Sequence, residues 1–118
     1  MKLLTLIVCL AVSAFAADVA GKWQFTVEFD QGGANGMPMF EFKQSGAALT
    51  GTYKGPLGEL PASGKTEGDA VTISVKGKRD NGDDISLTYT GKVDNAKKMT
   101  GRLAVNGSDA AKWTAVKQ

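Results

Sequence analysis

The sequence predicts an all-β fold, an eight-stranded antiparallel up-and-down β-barrel, on three observations. Almost every apolar run from residue 17 onward alternates with polar residues, which is the period of a strand with one face buried. Gly, Asn and Asp punctuate the chain between these runs. No stretch of that region sustains a helical period. Eight short strands joined hairpin by hairpin close economically into a barrel, which leaves no exposed edge. A β-sandwich is the alternative, but its Greek-key order needs at least one long crossing link.

The first sixteen residues stand apart from this pattern. Met1-Lys2 is a short basic start, Leu3 to Val12 is apolar apart from Thr5, and Ser13-Ala14-Phe15-Ala16 carries small residues where a secretory cleavage site needs them. The division expected is residues 1–16 as a helical signal peptide, cut after Ala16, and residues 17–118 as a single barrel domain. The apolar run is about ten residues, whereas a membrane span needs roughly 20. The mature protein is thus expected to be secreted or periplasmic, with no membrane attachment. The chain has 118 residues with no His and one Cys, and that Cys9 leaves with the signal.

The strands are read in order. Trp23, Phe25, Val27 and Phe29 oppose Lys22, Gln24, Thr26 and Glu28. Phe40 and Phe42 oppose Glu41 and Lys43; Leu49, Gly51 and Tyr53 oppose Thr50, Thr52 and Lys54. A weaker fourth segment runs from Ala62 to Thr66. Val71, Ile73 and Val75 make the fifth inward row, and Ile85, Leu87, Tyr89, Gly91 and Val93 the sixth. Met99, Gly101, Leu103 and Val105 follow, then Trp113 and Ala115.

Turns are expected at Ser45-Gly46, Glu67-Gly68-Asp69, Asp80-Asn81-Gly82, Asp94-Asn95 and Asn106-Gly107, where Gly and Asn supply the positive φ of tight hairpins. Two longer links, Gln31 to Pro38 and Gly55 to Pro61, are expected to form rims at a barrel mouth. Gly51, Gly64, Gly91 and Gly101 fall on inward positions inside strands. Glycine there weakens a strand, so its presence points to a bend or a close approach.

These residues carry a resemblance. Gly21-Lys22-Trp23 resembles the start of lipocalin and avidin barrels, which implies that the Trp closes the barrel floor. Ala48-Leu49-Thr50-Gly51-Thr52-Tyr53, with Gly58 in the following loop, is similar to the second hairpin of avidins. Thr88-Tyr89-Thr90-Gly91 lies where that family carries a Thr-Trp-Ser-Gly run. The resemblance places Tyr53 at a biotin-contacting position and Tyr89 where a cage Trp would stand. Phe25 and Phe29 replace small polar residues of that site, and Trp113 lies near the place of a buried acid, so biotin binding is not implied. Gly55-Pro56-Leu57-Gly58-Glu59 also resembles a loop of small secreted bacterial domains, which implies no activity.

Composition excludes much chemistry. Without His there is no Ser-His-Asp or Cys-His pair and no imidazole metal site. The formal charge of +2, +1 once Lys2 is removed, gives no strong field for nucleic acid or an anionic membrane. Asp80-Asn81-Gly82-Asp83-Asp84 lacks the alternating carboxylates and distal Glu of a calcium loop. With Lys76, Lys78 and Arg79 just before it, that tip is expected to be self-neutralised. Glu28, Glu41 and Glu59 have no partner fixed by spacing, so no paired carboxylates are expected. No enzyme activity, cofactor or metal is expected. An eight-stranded barrel is either just filled by side chains or holds one small ligand. If it is hollow, the expectation is a small or partly apolar molecule bound at the mouth, with Trp23, Tyr53 and Tyr89 lining the interior and Leu57 and Met37 on the rim. If it is filled, the expectation is a module that recognises a protein or cell surface through its loops.

Overall fold

A computed structural model describes residues 17–33 and 35–118. The expected signal peptide, residues 1–16, lies outside the described residues. Eight strands follow in chain order: β1 (Gly21–Phe29), β2 (Met39–Ser45), β3 (Ala48–Gly55), β4 (Gly58–Glu67), β5 (Ala70–Lys78), β6 (Asp84–Asn95), β7 (Lys98–Val105) and β8 (Ser108–Lys117). Each pairs antiparallel with the next, and β8 returns to pair with β1, closing the barrel. The all-β up-and-down barrel is therefore the observed architecture, its sheet closed on itself by the β1–β8 pairing.

The joints follow from local chemistry. Ser45 pairs with Ala48 and Glu67 with Ala70, leaving two-residue turns whose Gly46 and Gly68 each have φ of 60°. Glycine takes this left-handed conformation without a Cβ penalty, and the primed turns that need it match the twist of the strands they join. Asn106 (φ 51°) and Gly107 (φ 87°) make the β7–β8 turn, in which both central residues need positive φ.

Two joints differ from expectation. Gly55 pairs with Gly58, so Pro56-Leu57 is a tight turn and the expected long rim from Gly55 to Pro61 is absent. β4 thus begins four residues before Ala62. The β6–β7 turn lies at Ala96-Lys97 instead of Asp94-Asn95, because β6 continues through a bulge to Asn95. The other expected long link, from Gln31 to Pro38, falls within the long loop observed between β1 and β2.

Up-and-down order sends alternate hairpins to opposite ends. One end carries the β2–β3, β4–β5 and β6–β7 turns and is the floor. Ala17–Ala20 lie across it, held by Gln44 in two directions. The Gln44 Oε1 accepts from the Val19 N–H at 2.7 Å, and its Nε2 donates to the Ala17 carbonyl at 2.8 Å. The Trp23 indole donates to the Val19 carbonyl at 3.0 Å, and both side chains are fully buried. Trp23 therefore closes the floor.

Above the floor, rings fill the barrel. Phe25 stacks on Trp113 at 4.8 Å between centroids and packs on Phe40 at 4.4 Å. Tyr89 meets Phe25 and Phe40 edge-on at 5.5 and 5.3 Å. Such pairs contribute about 0.5–1.5 kcal/mol each beyond the area they bury. The inward glycines accommodate close strand contact. A Cβ on Gly51 would stand 1.9 Å from the Glu41 carbonyl oxygen, and one on Gly64 2.1 Å from that of Thr72. Their φ values are not positive, so space and not dihedral preference selects glycine at these two sites.

Candidate functional site

The other end of the barrel carries the β1–β2 loop and the β3–β4, β5–β6 and β7–β8 turns. Here the core stops short of the rim. A cavity of about 360 Å³ opens to solvent at this mouth. That is the small end of the size range of ligand sites, roughly 300–1,000 Å³. Its wall is made by inward strand positions: Val27 of β1, Ile85 and Leu87 of β6, and Leu103 and Val105 of β7. Tyr53 of β3 and Tyr89 of β6 also line it, and both rings contact Phe40 of the aromatic layer. Phe29, Pro38, Pro56 and Leu57 form the lip.

The expected site residues separate into two groups. Tyr53, Tyr89 and Leu57 come together around the cavity. Trp23 lines the interior but belongs to the floor, where its indole bonds to the Val19 carbonyl, and it does not line the cavity. Met37 is 62% exposed and lies outside it, whereas its neighbours Gly36 and Pro38 line it. The Gly36 N–H and carbonyl both bond to Val27, at 3.0 and 2.8 Å, and this bridge holds the loop beside the rim.

Sequence reasoning misses Arg79 and Phe29 as lining residues. Alternation reads Phe29 as inward, but its place at the last position of β1 puts it at the lip, 38% exposed. Arg79 lies in the β5–β6 loop, where alternation gives no direction. The expected self-neutralisation of that tip holds only for Lys78, which pairs with Asp84 at 2.7 Å. Asp83 accepts from the Asn81 amide, and among the described residues no carboxylate pairs with Arg79.

The two phenols are tuned by their surroundings. Burial pushes the Tyr53 hydroxyl above the usual tyrosine range, and a hydrogen bond from the Leu57 backbone N–H partly offsets this. Burial pushes Tyr89 up strongly, and the nearby Tyr53 adds to the shift. Both are therefore neutral donors at physiological pH.

These shifts carry an alkaline signature. Unfolded tyrosine ionises near pH 10, while the folded phenols hold their protons beyond it. The stabilising effect is complete below about pH 10 and declines as pH rises from there toward the folded value. Urea unfolding between about pH 9 and 11.5 should show a falling midpoint, and Tyr89→Phe should flatten that fall. An unchanged slope in the variant would remove Tyr89 as its source.

No family model and no curated protein sequence matches the chain. Solved structures do match it in shape. A redesigned β-barrel, b11L5F_LGL, superposes with a TM-score of 0.69 at 12% identity, covering 85% of this chain and 91% of that one. A de novo designed fluorescence-activating β-barrel gives 0.64 at 14% identity, covering 84% and 93%. A redesigned β-barrel, mFAP0, bound to DFHBI, gives 0.64 at 17% identity, covering 84% and 98%. At these identities the likeness establishes the fold alone.

Proposed function

We propose that this protein is an exported, non-catalytic barrel that binds a small, partly apolar molecule at its mouth. The observation that carries the reading is the uneven filling of the interior. The floor is sealed by Trp23 and Val19 and the middle is packed with rings, yet the mouth holds a cavity of about 360 Å³. Its walls are apolar and converge on two phenol hydroxyls, the pattern of a small-molecule site. Barrels of the same shape include one bound to the small molecule DFHBI, which is consistent with this use of the fold.

Binding of 1-aminoanthracene, a small neutral dye that brightens in apolar surroundings, tests the reading. The dye should bind one site per barrel, and Val105→Trp should abolish binding while the far-UV spectrum stays unchanged. Val105 is half-buried at the end of β7, where a larger ring can fill the mouth without entering the packed core. Failure of the native protein to bind the dye, or undiminished binding by the variant, would defeat the proposal.

Export rests on the basic-apolar-small order of residues 1–16. A cut after Ala16 leaves the whole floor segment, Ala17–Ala20, in the mature barrel. Sequencing of protein recovered from its host should begin at Ala17; a retained Met1 would contradict export by cleavage.

A further inference from the structure

The mouth has a chemical polarity that a purely apolar ligand would not use. Arg79 is the one charged residue lining the cavity among the described residues. No acid lines the cavity beside it among the described residues, and several acids are bonded to other partners. Asp30 and Asp109 are held by Arg102, Asp84 by Lys78, and Asp83 accepts from the Asn81 amide. Asp80, next to Arg79 in sequence, is exposed and makes no ion pair with it.

The phenols point the same way. Tyr53 lines the cavity with its phenol neutral, so its hydroxyl proton is available to an acceptor there. Tyr89 also lines the cavity, and its neutral phenol is a second hydroxyl donor there. The lining therefore offers a guanidinium and two hydroxyl donors and includes no carboxylate among the described residues.

Resting on the small-molecule reading above, we propose that the ligand is an amphipathic carboxylate: a flat or short apolar body in the cavity, with its carboxylate held by Arg79 and the phenol hydroxyls. A guanidinium matches a carboxylate bidentately, and hydrogen bonds to ionised groups are the strong ones. At about 360 Å³ the cavity is near the small end of ligand-site sizes, which suits a small body.

The test displaces bound 1-aminoanthracene with cinnamate and with cinnamamide, which share one apolar body and differ in charge. Cinnamate should compete at least tenfold better than its amide. Arg79→Gln should bring the two within about twofold, each competition being referred to that variant's own affinity for the neutral dye. Raising salt should narrow the preference in the native protein, because Arg79 is exposed and its charge is screened. Equal competition by acid and amide, no competition by either, or a preference that survives Arg79→Gln would overturn the carboxylate assignment while the dye still reports a working cavity. Absence of dye binding would instead defeat the small-molecule reading, and this assignment with it.

Discussion

Replacing Gly101 with alanine should cost the barrel more than the roughly 1–3 kcal/mol typical of an overpacked site. Gly101 of β7 pairs with Gly91 of β6, and the two backbones lie almost in contact. A Cβ at Gly101 would stand 1.9 Å from the Thr90 carbonyl oxygen and 2.6 Å from the Gly91 Cα. Those atoms are backbone in a central ladder and cannot swing away as a side chain tip can. Relief would require breaking β6–β7 pairing, in a domain whose total stability is on the order of 5–15 kcal/mol. Gly32→Ala is the control. Gly32 has φ of 86° but nothing within 4 Å of an added Cβ, so only the backbone penalty of about 1–2 kcal/mol applies. Urea unfolding of the two variants should separate them clearly; equal losses would contradict the close-contact account.

Trp113→Ala should cost about 3–5 kcal/mol, the usual range for removing a buried tryptophan. Trp113 is 1% exposed and stands at the centre of the ring layer. It stacks on Phe25 and meets Tyr89 edge-on at 6.0 Å. Its indole N–H donates to the Arg102 carbonyl at 2.9 Å. Gly91 makes room for it, since a Cβ there would lie 2.8 Å from the Trp113 Cζ2. Trp113→Phe keeps the stacked face and loses the hydrogen bond, so it should cost clearly less. Denaturant midpoints of both variants give the comparison, and a loss under about 1 kcal/mol for the alanine variant would contradict a layer built around this ring.

The strands are legible in the sequence because each has one buried face, and period-two alternation survives wherever that is so. β4 is the exception. Its first residues, Gly58-Glu59-Leu60-Pro61, show no strong alternation, and proline argues against a central strand. The ladder explains how Pro61 is accommodated. It pairs with Thr52 of β3, while the β4–β5 ladder begins only at Ala62, so Pro61 has no partner on its other side.

Alternation also tells inside from outside but not height along the barrel axis. Tyr53, Tyr89 and Trp23 all read as inward, and all are. Only register separates them. Trp23 faces Phe40 and Lys117 near the start of β1, at the floor, whereas Phe29, six residues further on, reaches the lip. Met37 and Arg79 sit in loops, where neither side nor height has a periodic signal. Arg79 joins the lining because the β5–β6 loop stands at the mouth.

The central claim is that this barrel is closed at the floor and receives a ligand at the mouth. Amide chemical-shift mapping of the ¹⁵N-labelled protein during titration with 1-aminoanthracene tests it most directly. The account predicts saturable shifts at Tyr53, Leu57, Leu87, Tyr89 and Leu103, with Val19, Trp23 and Thr66 unmoved. Shifts centred on the floor residues, or scattered over the outer faces of the strands, would contradict it.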